Sequence, residues 1–237
     1  MIINYDLHIH TVMSPCADEL MTPNNVLNMA YLKGLDMIAI TDHNSMQQFF
    51  TVDKIKESFD FIVIYGVEVT VLEGFHVLCY LPNKKAFLIF NKFLQENITK
   101  ERITNDYLHN GRLCDEFDQV IGEIDIDFHS PLKKNYKEIT DYVYKLGGFT
   151  VLAHIDRKKS GILSFVETLE GFKFSGFELD HRDLLDHYTE KFPVLKKKTM
   201  LSSSDSHSLV TINEKGQTLE LEDKTSEALF KFMRSCG

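Results

Sequence analysis

The chain has 237 residues, 43% of them apolar and 26% charged, which suits an ordinary globular protein able to bury a full core. Its 26 basic and 35 acidic residues give a net charge of −9, which argues against a dedicated surface for long nucleic acid but leaves room for a local basic pocket. Cys16, Cys79, Cys114 and Cys236 lie far apart with no C-x-x-C pair, so they read as reduced thiols and not as a disulfide framework. The start "MIINYDLHIH" lacks the basic and apolar stretches of a signal peptide, and the apolar runs fall short of the ~18 residues needed to span a bilayer. The expected setting is the cytoplasm, with no membrane partner.

"IINYDLHIH" opens the chain as a strand. "MTPNNVLNMAYLKGLD" then predicts a helix, with Thr22 as N-cap, Pro23 at the first helical position and Gly34 as terminator. "LDMIAITDHN" and "FIVIYGVEVT" follow as strands. "VEVTVLEGFHVLCYL" reads as a hairpin turning around Val71–Gly74, which would set Glu68 roughly opposite His76. Residues 84–135 break the rhythm: they are richly charged, helical in pattern and too long for a simple connection. They predict a helical insertion within about 84–140, either a cap over the mouth or a side packing, in an otherwise single domain. "NYKEITDYVYKLGG" predicts another helix closing on Gly147-Gly148, followed by the strands "GFTVLAHID", "FSGFELDH" and "TMLSSSDSH". Strands alternating with helices imply βα units and a mostly parallel sheet. Polar residues at strand ends match active sites at the C-terminal mouth of a barrel.

Those strand ends carry the chemistry. Alternation along a strand points Asp6, His8 and His10 the same way, and H-x-H is a natural two-tooth metal clamp. Taken alone, such a pair is as easily a pair of packed or surface histidines. His43 after "AITD", Glu68 after "YGV", His76, His154 after "VLA", and Asp205 with His207 in "SSSDSH" change that balance. So many imidazoles and carboxylates at matching positions exceed what a core of satisfied histidines would place there. Imidazole with carboxylate suits zinc, iron or manganese.

"DLHIHT", "AITDHN", "GVEVT", "AHIDR" and "SSSDSH" occur in the order typical of the PHP (polymerase and histidinol phosphatase) superfamily, and the chain resembles it from about residue 4 to about residue 215. The resemblance implies an α/β fold, a distorted (β/α)7 TIM-like barrel, and a phosphoesterase using two to three divalent metal ions. His8, His10, Glu68 and Asp205 would hold one metal. Glu68 would bridge to a second, completed by His76 and His154. Asp18, with Glu19 beside it in the "SPCADE" loop, would hold a third together with His43 and His207. Cys16 reads as a packed thiol, and Asp6 as an outer partner that orients a ligand. Two cations ~4 Å apart would share a hydroxide that attacks phosphorus in line, Glu68 and Asp205 fixing the cations. The third would stabilise the leaving oxygen.

Phosphate recognition is expected from Arg157 in "AHIDRKK", with Lys158 next to it, since a guanidinium fits phosphoryl oxygens bidentately. Lysines in such a loop are often only solvated. Arg102, Arg112 and Arg182 are weaker candidates, and His109, His129, His181 and His187 are assigned to surface or core roles. The leading expectation is a phosphatase acting on a small metabolite or nucleotide, and the alternative is a nuclease trimming short oligonucleotides. An amidohydrolase-like hydrolase would want a carboxylated lysine where Glu68 stands, and a non-catalytic metal-binding module would not need so complete a ligand set.

Overall fold

The computed structural model describes residues 1–104 and 108–237. In chain order the elements are β1 (Ile2–Ile9), α1 (Pro23–Leu32), β2 (Met37–Ile40), α2 (Phe49–Ile55), β3 (Ile62–Thr70), β4 (His76–Leu81), α3 (Lys84–Asn97), β5 (Gly111–Cys114) and β6 (Val120–Ile124). They continue with α4 (Tyr136–Lys145), β7 (Phe149–Leu152), β8 (Gly176–Glu178), α5 (Leu185–Lys191), β9 (Thr199–Leu201), β10 (Thr218–Glu220) and α6 (Ser226–Ser235). Eight strands form one curled sheet in the order β10-β1-β2-β3-β4-β7-β8-β9, and the parallel bridge Ile9–Ser206 brings the segment after β9 back to β1. Seven strands thus go once round, as the resemblance implied, with β10 pairing antiparallel on the start of β1.

Local chemistry sets several of these boundaries. Pro23 opens α1 after Thr22, and Gly34 leaves it at φ +68°, a region that favours glycine. The Thr22 hydroxyl donates to Asp118 in place of capping its own helix. Asn135 and Glu138 close a capping box on α4. The predicted hairpin forms as β3–β4 and is antiparallel, but its register pairs Thr70 with His76 and Glu68 with Leu78. His76 therefore reaches Glu68 along the diagonal and not straight across.

Apolar residues on the two sheet faces form two cores. Tyr5, Leu7, Met37, Ala39, Ile64, Leu78, Tyr80, Phe149 and Val151 pack on one face with Leu229 and Met233 of α6. Ile38, Ile40, Val63, Val67, Val77 and Cys79 face the other way, in the core that also includes Val26 and Leu27 of α1 and Phe87 and Phe90 of α3.

Two expectations require correction. Among the described residues before α4, the insertion is helical only over α3. Its second half contains the antiparallel hairpin β5–β6, in which Asp115 accepts from the Phe117 and Gln119 amides and Asp118 turns at φ +61°. Gly111 allows this hairpin to lie on the chain after β1, because a Cβ there would meet the Met13 carbonyl oxygen at 2.7 Å. The strict alternation expected of β1 also fails. Asp6 pairs with Ile38 but Ile9 with Ile40, so three steps on β1 face two on β2. That bulge shifts the side-chain parity between Asp6 and the two histidines.

Candidate metal centre

Glu68 lies near the end of β3, 1% exposed, and imidazole nitrogens surround its carboxylate. His154 Nε2 and His76 Nδ1 approach Oε1 at 2.9 and 3.0 Å. On the other oxygen, His43 Nδ1, His10 Nε2 and His8 Nε2 stand at 3.1, 3.4 and 3.5 Å. Asp205 Oδ1 completes the group, 3.1 Å from both His8 Nε2 and His10 Nε2. One donor atom each from His8, His10, Glu68 and Asp205 lies within 4.8 Å of the others, and the same holds for His43, Glu68 and His76 and for His10, His43 and His207. The strand-end residues predicted from sequence thus converge.

Electrostatics keep the carboxylates ionised here. Burial raises the Glu68 pKa, yet the imidazoles of His76, His8 and His43 together hold it well below the usual range. Asp205 behaves alike: burial pushes up, and His8 and His10 pull it well down. Burial lowers His43 well below an ordinary imidazole and His10 to about 3. His8 is the exception. Burial would lower it, but Asp205, Glu178 and Glu68 raise it well above the usual value.

Outer partners fix these rings. His8 Nδ1 meets Glu178 Oε2 at 2.8 Å, which leaves Nε2 for the centre. His10 Nδ1 lies 3.0 Å from Ser14 Oγ, which donates onward to Asp42 at 2.7 Å. His207 Nδ1 donates to the carbonyl of Asp205. Three non-glycine residues at the mouth, Asn44, His154 and Asp205, have left-handed backbone at φ +47°, +26° and +52°. Glu178 and Ser14 carry no signal in the sequence reading, although Glu178 ends the run "GFE" as the candidate ligands end theirs.

Other predicted residues are placed differently. Asp18 is exposed and its carboxylate accepts from the Leu20 amide, outside the converging groups, although it lines the same open cleft of about 490 Å³ as Asp205 and His207. Asp6 meets His8 through that residue's backbone amide and not through its ring. It accepts the backbone amides of Ser204 and Asn213, and so holds the segment carrying Asp205. Arg157 is engaged: Nε and Nη2 donate to Asp180 at 2.8 and 2.7 Å, and Nη1 donates to Asp205 Oδ2 at 2.7 Å. Lys158 is exposed. Arg182 donates to the Ser203 carbonyl, and Arg112 pairs with Glu19. His129, expected in a surface or core role, lies beside the cluster, its ring centroid 4.3 Å from that of His43.

The residues present fit divalent cations. Imidazole and carboxylate donors are those of zinc, iron and manganese sites. The buried atoms His8 Nε2 and His43 Nδ1, which face the Glu68 carboxylate, have no aligned hydrogen-bond partner, a state that a cation would relieve.

The chain belongs to the PHP domain family, whose model matches residues 6–197. It is 35% identical over 77 residues to the uncharacterized protein MJ1587 of Methanocaldococcus jannaschii, across 29% of this chain and 45% of that protein. The fold is similar to the lesion-specific endonuclease Q of Pyrococcus furiosus, with TM-score 0.70 at 19% identity over 100% of this chain and 57% of that one. It is also similar to a protein from Bifidobacterium adolescentis described as a metal-dependent phosphoesterase, with TM-score 0.59 at 16% identity over 96% of each chain. The chain therefore spans little more than half of the endonuclease. Among the described residues, no helix is long and apolar enough to cross a membrane.

Two expected results follow from the ligand geometry. Glu178→Gln should weaken metal binding about 10–100-fold, as loss of an outer partner does, measured by competition with a fluorescent chelator. Unchanged affinity would make the Glu178–His8 contact incidental. Metal affinity should also fall with pH, because His8 must release its Nε2 proton to bind. Its raised pKa places the onset above the ~6.5 of an ordinary histidine. An onset below that value would contradict the carboxylate environment of His8.

Proposed function

We propose that this chain hydrolyses phosphate esters of small metabolites or nucleotides with the help of two to three bound divalent cations. The observation that carries this reading is the buried Glu68 carboxylate inside five imidazoles, with Asp205 opposite. Bound there, manganese, iron or zinc would supply an activated water and neutralise charge on the phosphoryl oxygens. Glu68 contributes the negative charge that lets cations approach one another. Glu178 and the Ser14–Asp42 pair hold His8 and His10 with one nitrogen facing the centre. Arg157 holds Asp205, and releasing its grip on Asp180 would free Nε and Nη2 for a phosphate. Lys158, exposed on the same loop, is the next candidate for that contact.

A second reading is a nuclease acting on short oligonucleotides. The likeness to endonuclease Q over the whole chain and the open cleft beside Asp205 favour it, while the net charge of −9 disfavours long duplexes. A screen with manganese, iron and zinc against phosphomonoesters and short single strands tests both. Phosphate release from monoesters, abolished by chelator, is the expected result. Shortened oligonucleotides without monoester turnover would transfer the assignment to the nuclease. Activity on neither class would remove the phosphoesterase proposal.

A further inference from the structure

Apart from the strand-end ligands, a small cavity of about 170 Å³ lies between the loop after β2, the second half of α3 and the segment after β6. Ile98, Ile124, Ile126 and Phe128 give it apolar walls, and the Asn91 side chain is set among them. Asn91 is 5% exposed, and its Oδ1 is buried without a hydrogen-bond partner. We propose that this cavity is a second ligand site, in which Asn91 binds a free six-membered cyclic amide, an uncharged ring carrying N–H and C=O side by side.

An asparagine on the buried side of a helix destabilises the fold unless its amide is used, because it gives up water and gains no partner. Its neighbours on that side of α3, Phe87, Phe90 and Leu94, are all apolar, so packing alone would be served by leucine. The cavity supplies the room for the missing partner. Roughly 150 Å³ of apolar cavity takes one benzene ring, so about 170 Å³ suits a single six-membered ring with its substituent oxygen. The apolar walls take the ring faces and Asn91 takes the edge. A primary amide offers one donor and one acceptor side by side, in an order that a half-turn about χ2 reverses, and a cyclic amide presents the matching pair. A charged ring would lose its hydration without compensation. Among the lining residues only Lys100 is charged, and it is exposed, with Gln95, on the solvent side. The cavity and the cleft beside Asp205 share no lining residue. Asn44 forms the wall nearest the centre. Its backbone amide donates to the Glu68 carbonyl at 2.8 Å, and its side chain donates to the Phe128 and Ser130 carbonyls and accepts the Thr70 amide.

The test is methyl NMR on the full chain with labelled isoleucines, titrated with 2-pyridone and, separately, with benzene. 2-Pyridone should shift the Ile98, Ile124 and Ile126 signals to saturation, and benzene, which fills the same space without hydrogen bonds, should bind more weakly. Asn91→Leu should withstand heat at least as well as the wild type, because it removes an unsatisfied amide. It should bind 2-pyridone at least about tenfold more weakly, the loss of two neutral hydrogen bonds. Ile126→Phe, which fills the cavity, should bind neither compound, and it decides the matter if Asn91→Leu fails to fold. Isoleucine signals that stay in place at millimolar 2-pyridone would leave water as the occupant and overturn the site. So would Ile126→Phe that still binds 2-pyridone. Benzene binding as tightly as 2-pyridone, or Asn91→Leu binding 2-pyridone as the wild type does, would overturn recognition by the amide. None of these measurements involves metal or phosphate ester, so failure here leaves the phosphoesterase reading untouched, and an inactive protein that binds 2-pyridone would leave the second site standing.

Discussion

Glu68→Gln is expected to lose metal and nearly all turnover while the sheet stays folded. The carboxylate is shared among five imidazoles, and its negative charge is what would offset repulsion between neighbouring cations. The amide keeps the shape and removes the charge. Loss of a single preorganised electrostatic group costs on the order of 10²–10³ in kcat. A group serving two cations should cost at least the upper figure, or about 4 kcal/mol at 1.36 kcal/mol per decade. Elemental analysis, circular dichroism and kcat/KM on one preparation check it. A folded variant that retains its metal and stays within about tenfold of wild-type turnover would exclude Glu68 as the shared ligand.

Arg157→Ala is expected to lower kcat/KM roughly thirtyfold to a thousandfold, the equivalent of about 2–4 kcal/mol. The sequence suggested a guanidinium that binds only phosphate. With Nη1 on Asp205 and the other edge on Asp180, it is placed to act first as a positioning residue for a carboxylate of the proposed metal site. The loss should therefore appear in metal affinity and kcat, with KM changing less. Asp180→Asn, which loosens the far side of the same clamp, should move metal affinity in the same direction by a smaller factor. A variant that keeps its metals and raises only KM would restore the simple phosphate role. Unchanged kcat/KM would remove both roles.

What could be read from the sequence follows from which interactions are local. Strand ends, helix caps and the β3–β4 turn are encoded within a few residues, so the positions of His8, His10, His43, Glu68, His76, His154, Asp205 and His207 could be placed on one rim before any coordinates. The bulge in β1 could not, because it depends on how Leu7 and His8 meet a four-residue partner strand. The hairpin at 111–124 was hidden by a charged composition that also suits a helix, and the Asp115 side chain decides in favour of the turn. Partnerships across large sequence separations were invisible: Glu178 with His8, Arg157 with Asp205, and His129 with Cys16. Nothing near His129 in the chain announces that Asn44 will draw its neighbours to the mouth.

The left-handed backbone at Asn44, His154 and Asp205 has a further consequence for anyone wishing to harden this protein. Each such conformation costs on the order of 1–3 kcal/mol for a residue bearing a Cβ. Glycine would relax it, but at Asn44 it would also strip the hydrogen bonds to Phe128, Ser130 and Thr70, so His154 and Asp205 are the positions where truncation can gain thermal resistance while erasing a functional side chain. Selection for heat tolerance alone, without an activity screen, would drift toward an inert scaffold emptied at its own rim.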